Sequence, residues 1–258
     1  MPRRPIQALV ALIMLTVAAP SAGASPAVPH DPAASVSVPE EWSEDWTAEG
    51  AYVEEVPAAE APYVPEDFSG FTMPGLTPDN LTETVLGDID AFWAEEFAAN
   101  GNDYYAAGTV PVSEVVYSSC GNFGPYDNPA AFCPLEDAVY YSIPLSQDIN
   151  TSVGDFAWIT VLAHEYGHHV QLLLGIEHVN SIDRELQADC FAGAYAQRAL
   201  QKGFLQEGDV TEAVVMNILG GDPVEMDEFV DNAHGSSDYR VTAFMEGYFN
   251  GSSVCMSW

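Results

Sequence analysis

Between Val161 and Gln171 the chain reads VLAHEYGHHVQ, and no other stretch restricts its possible folds so tightly. His164 and His168 are four residues apart, so on an α-helix their side chains lie on one face, one turn apart. Two imidazoles so placed can grip one metal ion. Glu165 sits about 100° further round the helix, beside such an ion rather than on it. The neighbours Val161, Leu162, Ala163, Val170, Leu172 and Leu173 are apolar, which calls for a buried helix. Gly167 within it points to close approach by another backbone, a strand or a substrate, and Gly175 provides the stop.

Two histidines leave a metal site incomplete. Glu185 and Asp189 are again four apart, in SIDRELQADCFAGAYAQRAL, where most other positions are small or apolar. Carboxylates on such a helix are costly to bury unless they are paired or bind metal. His164, His168 and Glu185 then make a three-ligand set that leaves the fourth position of a zinc ion open to water. Asp189 can accept the free ring N–H of a ligating histidine. His169 points elsewhere on the helix and reads as a core or supporting histidine, as does His178 beyond the helix end.

Charge narrows the partners. The chain carries 39 acidic against six basic side chains, a formal net charge of −33. Such a surface repels nucleic acid phosphates and anionic lipid headgroups, so neither is an expected partner. Residues 1–24 read as a signal peptide: Arg3 and Arg4, the apolar run IQALVALIMLTVAA, and Ala22 and Ala24 in a small-x-small cleavage pattern. Secretion, or another extracytoplasmic location, is therefore expected, with no stable membrane insertion after cleavage. Cys120, Cys133, Cys190 and Cys255 are an even number in an exported chain, which favours two disulfides. Three pairings are possible. Cys120–Cys133, closing a short loop, with Cys190–Cys255, tying the tail to a helix, is preferred.

Residues 25–75 are acidic and broken by proline, with no sustained period, and read as a disordered linker, tail or pro-segment. Within them EEWSEDW places Trp42 and Trp46 four apart. An α+β domain is expected over 76–258. Leu81, Val85, Ile89, Phe92, Trp93 and Phe97 predict a helix capped at Asp79 or Asn80 and stopped at Gly101. Stretches 110–118 and 138–145 read as strands with a loop between them. Helices are expected at 153–174, 182–202 and 209–219, and the tail 231–258 reads as mixed.

Several pieces in order carry a family likeness: CG at 120–121, FCP at 132–134, VYYS at 139–142, GDFAW at 154–158, HEYGHHVQ at 164–171, ELQADCFAG at 185–193 and AHGSS at 233–237. Over roughly 80–258 the chain resembles the bacterial neutral zinc metallopeptidases, and more widely the thermolysin-like gluzincins. The resemblance implies a zincin-like domain with an active-site helix, a second ligand-bearing helix and a small sheet. It also implies hydrolysis of a peptide or protein substrate by Glu-assisted attack of zinc-bound water. His164, His168 and Glu185 are then the zinc ligands, Glu165 the general base, and Asp189 the partner of His164. It suggests His234 as a catalytic residue stabilising the oxyanion, and the strand near 138–143 as an edge for substrate pairing. The chain departs from the family in having Ala233 where a threonine is usual, and in keeping only Arg240 from a following Gln- and Arg-rich stretch. The rival reading is a catalytically silent exported binding protein on the same scaffold. Retention of Glu165 beside complete ligands argues against it.

Overall fold

The computed structural model describes residues 70–222 and 233–258; the expected leader, most of the acidic segment, Trp42 and Trp46 lie outside them. The apolar stripe from Leu81 to Phe97 forms α1 (Leu81–Ala99), buried on that face. Five short strands follow: β1 (Gly108–Val112), β2 (Val116–Ser118), β3 (Gly121–Phe123), β4 (Ala130–Cys133) and β5 (Ala138–Ser142). Among the described residues five α-helices follow: α2 (Ile143–Ser152), α3 (Asp155–Leu174), α4 (Ser181–Lys202), α5 (Asp209–Leu219) and α6 (Ser237–Asn250). This is the expected α+β class. No described helix is long and apolar enough to cross a membrane.

Four expectations about the sheet region change. The strand over 110–118 is two strands, and the loop after it contains β3 and β4. The strand expected to run to 145 ends at Ser142, whose Oγ accepts the Leu145 N–H at 3.0 Å and so caps α2. The sheet order is β1-β5-β4, with β5 parallel to β1 and antiparallel to β4. All five residues of β5 are buried. The proposed substrate edge at 138–143 is therefore the central strand; β1 and β4 are the edges, and β4 is the one that lines the cleft described below. Both preferred disulfides form, Cys120–Cys133 and Cys190–Cys255.

The packed body also starts earlier than residue 76. Phe71 is only 2% exposed, tilted against Phe156 and edge-on to Phe204, and the Thr72 N–H donates to the Phe204 carbonyl at 2.9 Å. A large apolar ring outweighs the proline-rich context of its flank.

The helix expected from residue 153 starts at Asp155, and carboxylates build that start. Gly154 caps it at φ 138°, and a Cβ there would meet the Glu212 carboxyl carbon at 2.0 Å. Glu212 accepts the Phe156 N–H at 2.9 Å, and Asp155 accepts the Phe71 N–H at 3.3 Å. Carboxyl oxygens of Asp155, Asp209 and Glu212 lie within 4.8 Å of one another. Among the described residues no basic side chain pairs with them. Burial pushes all three carboxyls up, Asp209 to about 6 and Glu212 to about 7. Acids raised on folding stabilise while protonated, so this contribution is full below about pH 4.5 and is lost as pH rises through about 7. Glu212→Gln should therefore stabilise the fold at pH 8, by at most about 3 kcal/mol, and give no gain at pH 4. Urea unfolding at the two pH values checks this; equal effects at both would refute it.

Small residues let the helices approach. A Cβ on Gly193 would fall 1.9 Å from the Phe244 carbonyl oxygen, and one on Gly247 would fall 1.8 Å from that of Cys190. The backbones of α4 and α6 thus touch. Gly247→Ala forces them apart and is expected to cost about 3 kcal/mol, a fall in Tm of roughly 10 °C by circular dichroism. An unchanged Tm would contradict the contact. Gly167 plays the same part between α3 and α4, where a Cβ would lie 2.8 Å from Ala188 Cα. Its close neighbour is a helix, not the strand or substrate expected.

Candidate metal centre

Because α3 and α4 meet at Gly167 and Ala188, their inward side chains converge. His164 Nε2 lies 3.1 Å and His168 Nε2 3.4 Å from Glu185 Oε2. The two imidazoles stand edge to face, 4.8 Å apart and 89° to one another. His164 and Glu185 are buried and His168 nearly so. The three sit in a cleft of about 830 Å³ that also exposes Glu165, Arg240, His234, and Ala130 to Phe132 of β4.

Each imidazole is held from behind. His164 Nδ1 is 2.7 Å from Asp189 Oδ1. Asp189 is gripped in turn by Arg240, whose Nε donates to Oδ2 at 2.8 Å and Nη2 to Oδ1 at 2.7 Å. Arg240 is itself anchored by Nη1 on the Gly220 carbonyl at 2.7 Å. His168 Nδ1 is 2.9 Å from Gln171 Oε1. In the neutral form that a metal requires, with both Nδ1 atoms donating, each Nε2 would present its lone pair beside Glu185. Glu165 Oε2 accepts the Phe132 N–H of β4 at 2.8 Å.

The electrostatics favour positive charge among these donors. Burial alone would lower His164, but the Asp189 and Glu185 carboxylates prevail and lift it to about 10. Burial would raise Glu185, yet hydrogen bonds from His164 and His168 hold it well below the usual carboxylate range. Asp189 is likewise held down against its burial, by Arg240 first and then His164. Two imidazole nitrogens and one carboxylate oxygen, converging and oriented from behind, are a donor set that fits a zinc ion.

The other histidines divide. His169 is fully buried, with Nδ1 2.6 Å from Asp137 Oδ1 and Nε2 2.9 Å from the Tyr105 carbonyl, and so pins α3 to the β4–β5 turn. His178 Nε2 reaches Gln187 Oε1 at 2.9 Å. His234 stands half-exposed at the cleft rim, its backbone N–H donating to Asp222 Oδ2 at 2.5 Å. Sequence reasoning noted Arg240 only as a remnant of a family pattern. The signal available was a lone cation in a helix of an otherwise acidic chain.

Comparison with known proteins bears on this arrangement. A family model described as "Putative neutral zinc metallopeptidase" matches residues 76–257. The chain belongs to this family. Among curated relatives, uncharacterized protein YpfJ of Escherichia coli K12 is 32% identical over 202 residues, 66% of this chain and 68% of the relative. Uncharacterized protein Rv2575 of Mycobacterium tuberculosis H37Rv is 30% identical over 155 residues, covering 48% and 53% of the two chains. No solved structure matches the chain significantly. The neutral zinc metallopeptidase family implies zinc as the metal, and the residues present fit it.

Proposed function

We propose that this family member is an exported zinc-dependent endopeptidase, with His164, His168 and Glu185 as metal ligands. The observation that carries the reading is Glu165. It is a buried carboxylate at the floor of an open cleft, next to three converged donors and moored to the exposed edge of β4. A zinc ion held there supplies Lewis acidity, polarising a carbonyl and making water acidic near neutral pH.

The protein's own residues do the rest. Glu165 accepts the proton of the attacking water and returns it to the departing amine nitrogen. The Phe132 N–H keeps one carboxylate oxygen fixed and leaves the other to work. Arg240 and Asp189 hold His164 in one tautomer and orientation. His234, at the rim, is the proposed donor to the developing oxyanion. The edge of β4 pairs with an extended peptide. Export rests on the leader-like residues 1–24, and two disulfides within one chain suit an oxidising compartment.

The test is metal analysis of the mature protein together with a peptide-library cleavage assay. About one zinc per chain with internal cleavage supports the reading. A zinc-loaded protein that hydrolyses no peptide leaves the silent binding protein in its place.

A further inference from the structure

His168 is tied to the far end of the chain by two buried glutamines. His168 Nδ1 is 2.9 Å from Gln171 Oε1, and Gln171 Nε2 donates to the Arg184 carbonyl at 2.7 Å and to Gln187 Oε1 at 3.1 Å. Gln187 Nε2 donates to the Cys255 carbonyl at 2.9 Å, while its Oε1 also faces His178 Nε2. Gln171 is 4% exposed, Gln187 1% and Cys255 0%. Cys255 is bonded through its sulfur to Cys190, one turn beyond Gln187 on α4.

The direction of this chain of amides is fixed. The Arg184 and Cys255 carbonyls can only accept, so the NH2 end of each glutamine must face them. Gln171 Oε1 is then the acceptor opposite His168, which puts the proton on Nδ1 and leaves Nε2 as the lone pair. Flipping either amide would set acceptor against acceptor between buried side chains, so the arrangement is costly to reverse.

Resting on the reading of His168 as a zinc ligand, we propose that Gln171 and Gln187 are positioning residues for the metal. They carry the seating of the C-terminal turn, held at Cys255, through to His168 Nε2. Metal retention therefore depends on a segment that contributes no ligand.

The test uses the full mature chain and three readouts: zinc dissociation constant by chelator competition, the visible spectrum of the cobalt(II)-substituted protein, and Tm of the metal-free form. Gln171→Met and Gln187→Met are each expected to weaken zinc binding roughly 10–100-fold and to alter the cobalt spectrum, with the metal-free chain still folding cooperatively. Gln171→Glu keeps an acceptor for His168 but sets a carboxylate oxygen against the Arg184 carbonyl and Gln187 Oε1, so it should recover only part of the affinity and spectrum lost in Gln171→Met. Wild-type zinc affinity and spectrum in both methionine variants would overturn the proposal. Should Gln187→Met fail to fold, the pair at position 171 decides: equal affinity in Gln171→Met and Gln171→Glu overturns it. A wild-type chain that takes up neither zinc nor cobalt overturns the metal-site reading itself.

Discussion

Glu165→Gln is expected to keep its zinc and lose nearly all turnover, with kcat falling by about 10³-fold or more. The substitution is close to isosteric, and the glutamine carbonyl can still accept the Phe132 N–H that now binds Glu165 Oε2. Position and burial are thus preserved while the proton-accepting carboxylate is removed. The amide nitrogen that replaces the second oxygen donates hydrogen bonds and cannot take a proton from water. Because Glu165 is not among the three converged donors, metal content should not change. Metal analysis and steady-state kinetics on one preparation separate the two effects. A zinc-loaded variant with wild-type kcat would move the general base elsewhere.

Glu185→Ala is expected to empty the site. Glu185 Oε2 is the atom on which both histidine Nε2 atoms converge, at 3.1 and 3.4 Å. Removing it leaves two imidazoles facing a buried gap, with Asp189 still engaged by Arg240 and unable to turn inward. Loss of a direct ligand should exceed the 10–100-fold usual for loss of an outer partner, so zinc affinity is expected to fall by more than about 100-fold. Full zinc occupancy after dialysis would remove Glu185 from the ligand set. Since a metal that binds only the folded state stabilises it, the wild type should also gain Tm with added zinc and the variant should not.

The convergence of His164, His168, Glu185 and Asp189 was legible because helical periodicity is local arithmetic. A spacing of four fixes a face, and a carboxylate among small apolar residues needs a reason to be there. Helices with strong apolar stripes, α1 and α4, were placed within a residue or two for the same cause. What failed depended on partners distant in sequence. Nothing in AVYYSIPL says that β5 lies between two neighbours, or that the Ser142 hydroxyl turns the chain into a helix. Phe71 looked like part of a solvated tail because its burial comes from Phe156 and Phe204, not from its own flank. Arg240 and the two glutamines escaped for a similar reason. A polar side chain carries no sign of its partners until the helices are packed.

The mooring of Glu165 to β4 limits what the cleft can read. In an antiparallel pair, N–H groups alternate between the partner strand and open space, and the Phe132 N–H faces away from β5 and is occupied by Glu165. Only the Ala130 N–H and the outward carbonyls of this four-residue strand remain for a visiting backbone. If an extended peptide pairs there as proposed, the available edge is about 7 Å at 3.3 Å per residue, room for two residues. Base and strand belong to different elements, α3 and β4, and are linked here by the single hydrogen bond from the Phe132 N–H, so a shift of β4 against α3 would strain that link. On the proposed reading, so short an edge would make cleavage depend on the residues next to the bond and be indifferent to the rest of the polypeptide.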